Sequence, residues 1–269
     1  MISVRDVSFR YPDQAAVLQS IRIDIPSGVN VLLLGPNGCG KTTLMGILSG
    51  YLKPAAGCVT LDGMQPHKLS ARARLAAVMV VSQRYHFEVM ATTVQDELLR
   101  QASRVRLSSD DIRAAVSELP DTVRLAYESA RLSHPLDLTP SQLWLVLLGI
   151  ACVVNPRHLL LDEVPALDMT CSELEGVETV LASRRSAGVT TLISTHGLRH
   201  FVSTCDSVLV FGERTQGPVH RSMDSLLSDP AFRELFLTNG IHAMTELLGC
   251  PPAFTPAAGS RALIGGQQC

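Results

Sequence analysis

The sequence predicts an α/β fold: a mostly parallel sheet covered by helices, with a helical block inserted into it. Three observations carry this expectation. Strand-like segments recur along the 269 residues, several of them near-continuous Val/Leu/Ile runs, the mark of strands buried on both faces. Helical stretches alternate with most of them, as they do where helices form the crossovers of a parallel sheet. Between Gln83 and Pro156 the strand pattern vanishes and helical patterns replace it.

The elements follow in order. The opening "ISVRDVSFRY" alternates like a strand and lacks the apolar run of a secretory signal. "NVLLLG" reads as a buried strand, and Lys41 to Leu52 as the helix after it. "CVTLDG" and "LAAVMVVSQ" read as further strands. In the inserted block, "TVQDELLRQA", "SSDDIRAAVSEL" and "DTVRLAYESARL" read as helices, the first two opening at Thr93 and Ser108 caps. "LTPSQLWLVLLGIACVVNP" follows. Thr139 suits an N-cap, Pro140 the first helical position, and Gln142 completes a capping box, while Asn155-Pro156 ends the helix. Its apolar run, Leu143 to Val154, falls short of the ~20 residues of a membrane span, so it reads as a buried helix in a chain that does not cross a membrane. "HLLLDE", a helix from Ser172 to Ser186, "VTTLIST", a helix from Leu198 to Cys205 and "SVLVFGE" complete the core. "HAMTELLG" reads as a short helix, and the Pro/Gly/Ala-rich stretch from Cys250 as a disordered tail.

Hydrophobic residues make up 46% of the chain, charged ones 18% and aromatics 4%, the profile of a soluble globular protein on the apolar side. A net charge of −2 offers no electrostatic footprint for nucleic acid. Seven scattered cysteines without metal-ligand spacing suit a reduced, cytoplasmic setting.

The chemistry lies in "LLLGPNGCGKTTL", which leaves a strand and opens a helix. Gly35, Gly40, Lys41 and Thr42 satisfy G-x-x-x-x-G-K-[ST] in the context this motif requires. Such a loop turns backbone N–H groups of Asn37, Gly38, Cys39 and Gly40 toward a phosphate, and the helix N-terminus at Thr42 and Thr43 adds its dipole. Lys41 is placed to reach the β/γ oxygens, and the Thr42 hydroxyl to ligate Mg²⁺. Kinases, GTPases and ATPases all use such a loop, so a second motif is needed. "HLLLDE" ends a buried strand with Asp162 and Glu163: the first is placed to hold Mg²⁺ and the second to polarise an attacking water.

With these motifs joined by the helical block, the chain resembles the nucleotide-binding subunits of ABC transporters from about residue 1 to 228. Tyr11, in "FRYPD", stands where that family stacks an aromatic on adenine. Gln83, in "VVSQ", stands where it links nucleotide, Mg²⁺ and the transmembrane partner. Asp168, in "PALD", matches the aspartate that contacts the opposite subunit, and His196, in "ISTH", the histidine that meets the γ-phosphate. Taken singly, Tyr11 and His196 are ordinary surface or core residue types; it is their order that carries the resemblance. It implies a P-loop NTPase (RecA-like) core, 1–83 and 156–228, with an N-terminal antiparallel β part. It also implies an inserted helical signature subdomain, 84–155, and a C-terminal helical extension, 229–249, before the tail, 250–269. Glu163, His196 and Gln83 are then the expected catalytic residues, and ATP with Mg²⁺ the ligands.

Two departures from the family pattern matter. The signature Leu-Ser-Gly-Gly-Gln is replaced by Leu138-Thr139-Pro140-Ser141-Gln142: Thr139 keeps a hydroxyl for the γ-phosphate, Pro140 has no N–H, and Ser141 brings a side chain where the family has glycine. Leu145 stands where an arginine is common, and "DEVPALD" is one residue shorter than the family's "DEPTSALD". "TTVQDELL" resembles the energy-coupling factor branch, which imports vitamins or transition-metal ions. The resemblance implies an ATP-hydrolysing subunit, peripheral on the cytoplasmic side of the membrane, working with a transmembrane subunit and a second ATPase, a paralogue rather than itself. In that heterodimer this chain's own complete P-loop half hydrolyses. The alternative is a nearly inactive, ATP-binding regulatory subunit. A DNA-associated ATPase is disfavoured, because the sequence has no basic stripe, long coiled coil or zinc motif.

Overall fold

The computed structural model describes residues 1–82, 91–211, 218–228 and 230. Gln83, the helix expected from "HAMTELLG" and the tail lie outside the described residues.

Two sheets form the scaffold. The smaller is antiparallel, built from β1 (Ile2–Arg10), β2 (Ala16–Ile25) and β4 (Ala56–Leu61) in the order β2-β1-β4. The larger holds β3 (Asn30–Leu34), β5 (Val78–Ser82), β6 (His158–Val164), β7 (Thr190–Thr195), β8 (Ser207–Val210) and β9 (Val219–Ser222). Its order is β5-β6-β7-β3-β8-β9, parallel throughout except for the antiparallel β8–β9 pair. The helices are α1 (Lys41–Leu48), α2 (Ala71–Ala77), α3 (Val94–Val105), α4 (Ser109–Ser117), α5 (Asp121–Ala130), α6 (Pro140–Val154), α7 (Cys171–Ser186) and α8 (Met223–Leu227).

The period-2 geometry of a strand explains the continuous apolar runs, because alternate residues feed two separate cores. Leu32, Leu34, Leu159, Leu161 and Ile193 face a larger core shared with α3, α5, α6 and α7. Val31, Leu33, Leu160, Leu192 and Leu209 face a smaller core closed by α1 and the antiparallel sheet. Burying each of these side chains is worth roughly 1.5–3 kcal/mol, which holds the strand ends beneath the functional loops.

"LTPSQLWLVLLGIACVVNP" is a buried helix. The Thr139 hydroxyl accepts the Gln142 N–H, the Gln142 side chain accepts the Thr139 N–H, and Asn155 stops α6 in the left-handed conformation. Every residue from Leu143 to Val154 is buried except Cys152. Among the described residues no helix is long and apolar enough to cross a membrane. Trp144 is 1% exposed in the larger core, and its Nε1 has no hydrogen-bond partner among the described residues. Trp144→Ala is therefore expected to cost about 3–5 kcal/mol through the cavity it leaves. A urea denaturation midpoint unchanged from wild type would contradict this packing.

The structure corrects four local readings. The helix expected to reach Leu52 ends at Leu48, where the chain turns through Gly50 at φ +76°. Leu75 to Ala77, read as strand, close α2, whose N-terminus is capped by the Ser70 hydroxyl. The helix expected from Leu198 to Cys205 is a single 3-10 turn, Leu198–Phe201. β2 and β9 had no counterpart in the sequence reading. Only four of β2's ten residues are buried and four are exposed, so its apolar content is diluted, and β9 is four largely exposed residues on the sheet edge.

Candidate functional site

β3 ends at Leu34 and α1 begins at Lys41, so Gly35 to Gly40 form the turn between them. Glycine is required at two of these positions. Gly35 has φ +152°, and a Cβ there would sit 2.7 Å from Cys39 Sγ and 2.9 Å from the Phe211 carbonyl. Gly40 caps α1 at φ +111°. The Lys41 ammonium donates to the Gly35 carbonyl at 2.7 Å and the Pro36 carbonyl at 3.0 Å, so it lies over its own loop. Cys39 is buried beneath it, and burial pushes its thiol above the ordinary range despite the nearby ammonium. Tyr11 is half-buried, edge-on to Phe9 at 5.0 Å, and its hydroxyl lies 3.3 Å from the Thr43 hydroxyl. That contact ties the antiparallel sheet to the first turn of α1.

The carboxylates stand at the C-terminal end of β6. Asp162 is 5% exposed; its Oδ1 accepts the Ser194 hydroxyl at 2.8 Å and the Thr42 hydroxyl at 3.3 Å. Glu163 follows at φ +55°, a conformation L residues seldom adopt, where the β6–β7 register breaks between Leu161 and Val164. Its N–H donates to Ser194 Oγ at 2.8 Å. Glu163 lines one cleft with Gly35, Asn37, Lys41, Ser194, Thr195 and His196. His196 is exposed directly after β7. The Thr195 hydroxyl donates to the Val164 carbonyl at 2.9 Å and accepts the Gly197 N–H at 3.0 Å, which pins the two strand ends together. Asp168 is exposed in a turn closed by its own N–H on the Pro165 carbonyl.

The hydroxyl of Thr42 beside the carboxylate of Asp162 is a hard-oxygen donor pair. It fits Mg²⁺, a cation commonly held by one or two protein oxygens together with substrate phosphates. Among the described residues no group of three or more His, Cys, Asp or Glu side chains could hold a metal independently.

The cleft thus brings together Gly35, Asn37, Lys41, Glu163 and His196. Thr139 and Ser141 do not line it. They open α6 in the helical block, with their hydroxyls 3.3 Å apart and that of Thr139 engaged in the cap. Gln83 is outside the described residues. Sequence reasoning passed over Ser194, which touches both Asp162 and Glu163. The available signal was a short polar side chain within "TTLIST", a strand buried along its whole length.

Comparison with known proteins adds to this geometry. The family model described as ABC transporter matches residues 18–166. The chain is similar to the energy-coupling factor transporter ATP-binding protein EcfA of Methanothermobacter thermautotrophicus, with 27% identity over 215 residues, 78% of this chain and 67% of that protein. It is also similar to the sulfate/thiosulfate import ATP-binding protein CysA of Burkholderia mallei, with 34% identity over 78% of this chain and 59% of that protein. Among solved structures, cbiO1 from Clostridium perfringens, part of the ABC transporter complex cbiONQ, superposes with a TM-score of 0.68. The match covers 93% of this chain and 98% of that one; at 22% identity it speaks to the fold alone.

Proposed function

The chain belongs to the ABC transporter family as an ATP-binding, ATPase subunit, and from that premise we propose that it hydrolyses ATP to power import of a vitamin or transition-metal ion through a separate membrane subunit. The observation that carries the reading is the single cleft in which Lys41, Glu163 and His196 meet. In this reading Gly35 to Thr43 cradle the phosphates and Tyr11 meets the adenine. Glu163 takes a proton from water as the water oxygen bonds to the γ-phosphorus. The bond to the β–γ bridging oxygen breaks, and ADP leaves. His196 orients the γ-phosphate. Mg²⁺, held through Thr42 and Asp162 with Gln83 as a further ligand, would neutralise charge on the β/γ oxygens.

Members of this family work with membrane subunits and dimerise. Similarity to CysA, a sulfate/thiosulfate import ATP-binding protein, supports the import assignment, and the resemblance to the energy-coupling factor branch supports the cargo class. We place the chain peripherally on the cytoplasmic face of the membrane. We assign 84–155 as the signature subdomain of a core formed by 1–83 and 156–228.

The start of α6 favours a heterodimer. Pro140 offers no N–H, Ser141 adds a side chain, and the Thr139 hydroxyl is engaged in its capping box. A partner with an intact signature would complete the site on this chain's P-loop; this chain would serve its partner's ATP poorly. The same observation supports the second reading, a nearly inactive regulatory subunit. ATPase assays separate them. The purified chain alone is expected to hydrolyse slowly, the assembled transporter quickly, and Glu163→Gln in this chain is expected to stop transport. The triple change Thr139→Ser, Pro140→Gly, Ser141→Gly is expected to matter far less. A chain that alone matches the assembled transporter overturns the asymmetry, and transport that survives Glu163→Gln favours the regulatory reading.

A further inference from the structure

We propose that Ser194 is the positioning residue of the hydrolytic site, one hydroxyl that sets both Asp162 and Glu163; this rests on the reading of those two side chains as the metal-holding and water-polarising carboxylates. Ser194 is the penultimate residue of the buried strand β7 and is 1% exposed. A serine hydroxyl has one proton to give and lone pairs to receive with. Here the proton goes to Asp162 Oδ1 at 2.8 Å, and a lone pair takes the Glu163 N–H at 2.8 Å.

The second bond matters because of where Glu163 sits. The β6–β7 ladder loses register between Leu161 and Val164, so the Glu163 N–H is turned out of the regular strand pattern. Its φ of +55° is the left-handed conformation, unfavourable for a residue with a Cβ. Such a geometry persists only where the surroundings hold it. Ser194 Oγ supplies the acceptor that the ladder does not. Without it, a return of Glu163 toward extended backbone satisfies the N–H in the ladder and turns the side chain toward the opposite face, because strand side chains alternate. Glu163 then leaves the cleft, while Asp162 Oδ1 loses the Ser194 hydroxyl and keeps that of Thr42. Ser194 itself need not touch substrate; it acts through the two carboxylates.

The test compares Ser194→Ala with wild type and with Glu163→Gln in the full chain. For Ser194→Ala we expect kcat in the assembled transporter to fall about 10–100-fold, the usual effect of removing a group that orients a ligand. Mn²⁺ affinity, followed by electron paramagnetic resonance on the ATP-bound chain, should weaken by a similar factor. Affinity for a fluorescent ATP analogue without divalent cation should stay unchanged, a split that general loss of structure would not produce. Should Ser194→Ala fail to fold, Ser194→Cys keeps most of the volume with a much weaker donor and must show the same split. Ser194 variants with wild-type kcat and Mn²⁺ affinity, beside a slow Glu163→Gln, overturn the positioning role. Wild-type turnover by Glu163→Gln overturns the carboxylate assignment underneath it.

Discussion

Lys41→Ala is expected to abolish tight ATP binding. The cleft's lining contains one lysine and no arginine among the described residues, so no second fixed cation there can replace it. Its ammonium now satisfies the Gly35 and Pro36 carbonyls at 2.7 and 3.0 Å, within reach of any phosphate seated in the same loop. Hydrogen bonds to charged groups contribute ~1.5–3 kcal/mol each, so losing contacts to two phosphate oxygens should weaken binding by about 10²–10⁴-fold. The change is otherwise mild for the fold: alanine suits the first turn of a helix, and the Lys41 side chain is only half-buried. Titration with a fluorescent ATP analogue reads the effect directly. An unchanged dissociation constant would remove Lys41 from the phosphate site.

Glu163→Gln should separate binding from turnover. The glutamine keeps the side-chain length and the N–H bond to Ser194, but it cannot accept a proton at neutral pH. Loss of a general base typically costs ~10²–10⁴-fold, so hydrolysis should slow by that factor while ATP stays bound. Single-turnover hydrolysis with trapped nucleotide is the decisive measurement. Turnover at the wild-type rate would show that another group handles the proton.

The parts of this molecule that were legible in the sequence are those in which neighbouring residues act together. Gly35 to Thr42 is one contiguous loop between a strand and a helix, and "HLLLDE" announces a buried strand by its own composition. The cap of α6 was readable for the same reason, since Thr139, Pro140 and Gln142 make their signal within four residues. Ser194 was not legible because its role depends on which strand lies beside it. Its hydroxyl meets Asp162 and Glu163 only through the β6–β7 pairing, and no local pattern encodes that. The left-handed backbone of Glu163 was hidden likewise, since glutamate carries no preference for that conformation. At Leu75 to Ala77 the apolar run continued from α2 into β5 without a break, and periodicity over so short a stretch cannot separate helix from strand.

The sheet order has a consequence for how the protein is made on the ribosome. β3, which ends at the phosphate loop, pairs with β7 and β8 and with no earlier strand. Its register partners, Thr191 to Ser194 and Ser207 to Val210, are translated only after the whole helical block. Until then the nascent chain carries an unpaired apolar strand with both edges open, the kind of segment that invites aggregation and occupies chaperones. The nucleotide pocket therefore closes only once β7 and β8 have been made, and ATP cannot assist the folding stages before that. A message truncated before β8 would yield a chain holding the complete phosphate-loop sequence yet lacking one of the two strands that support it.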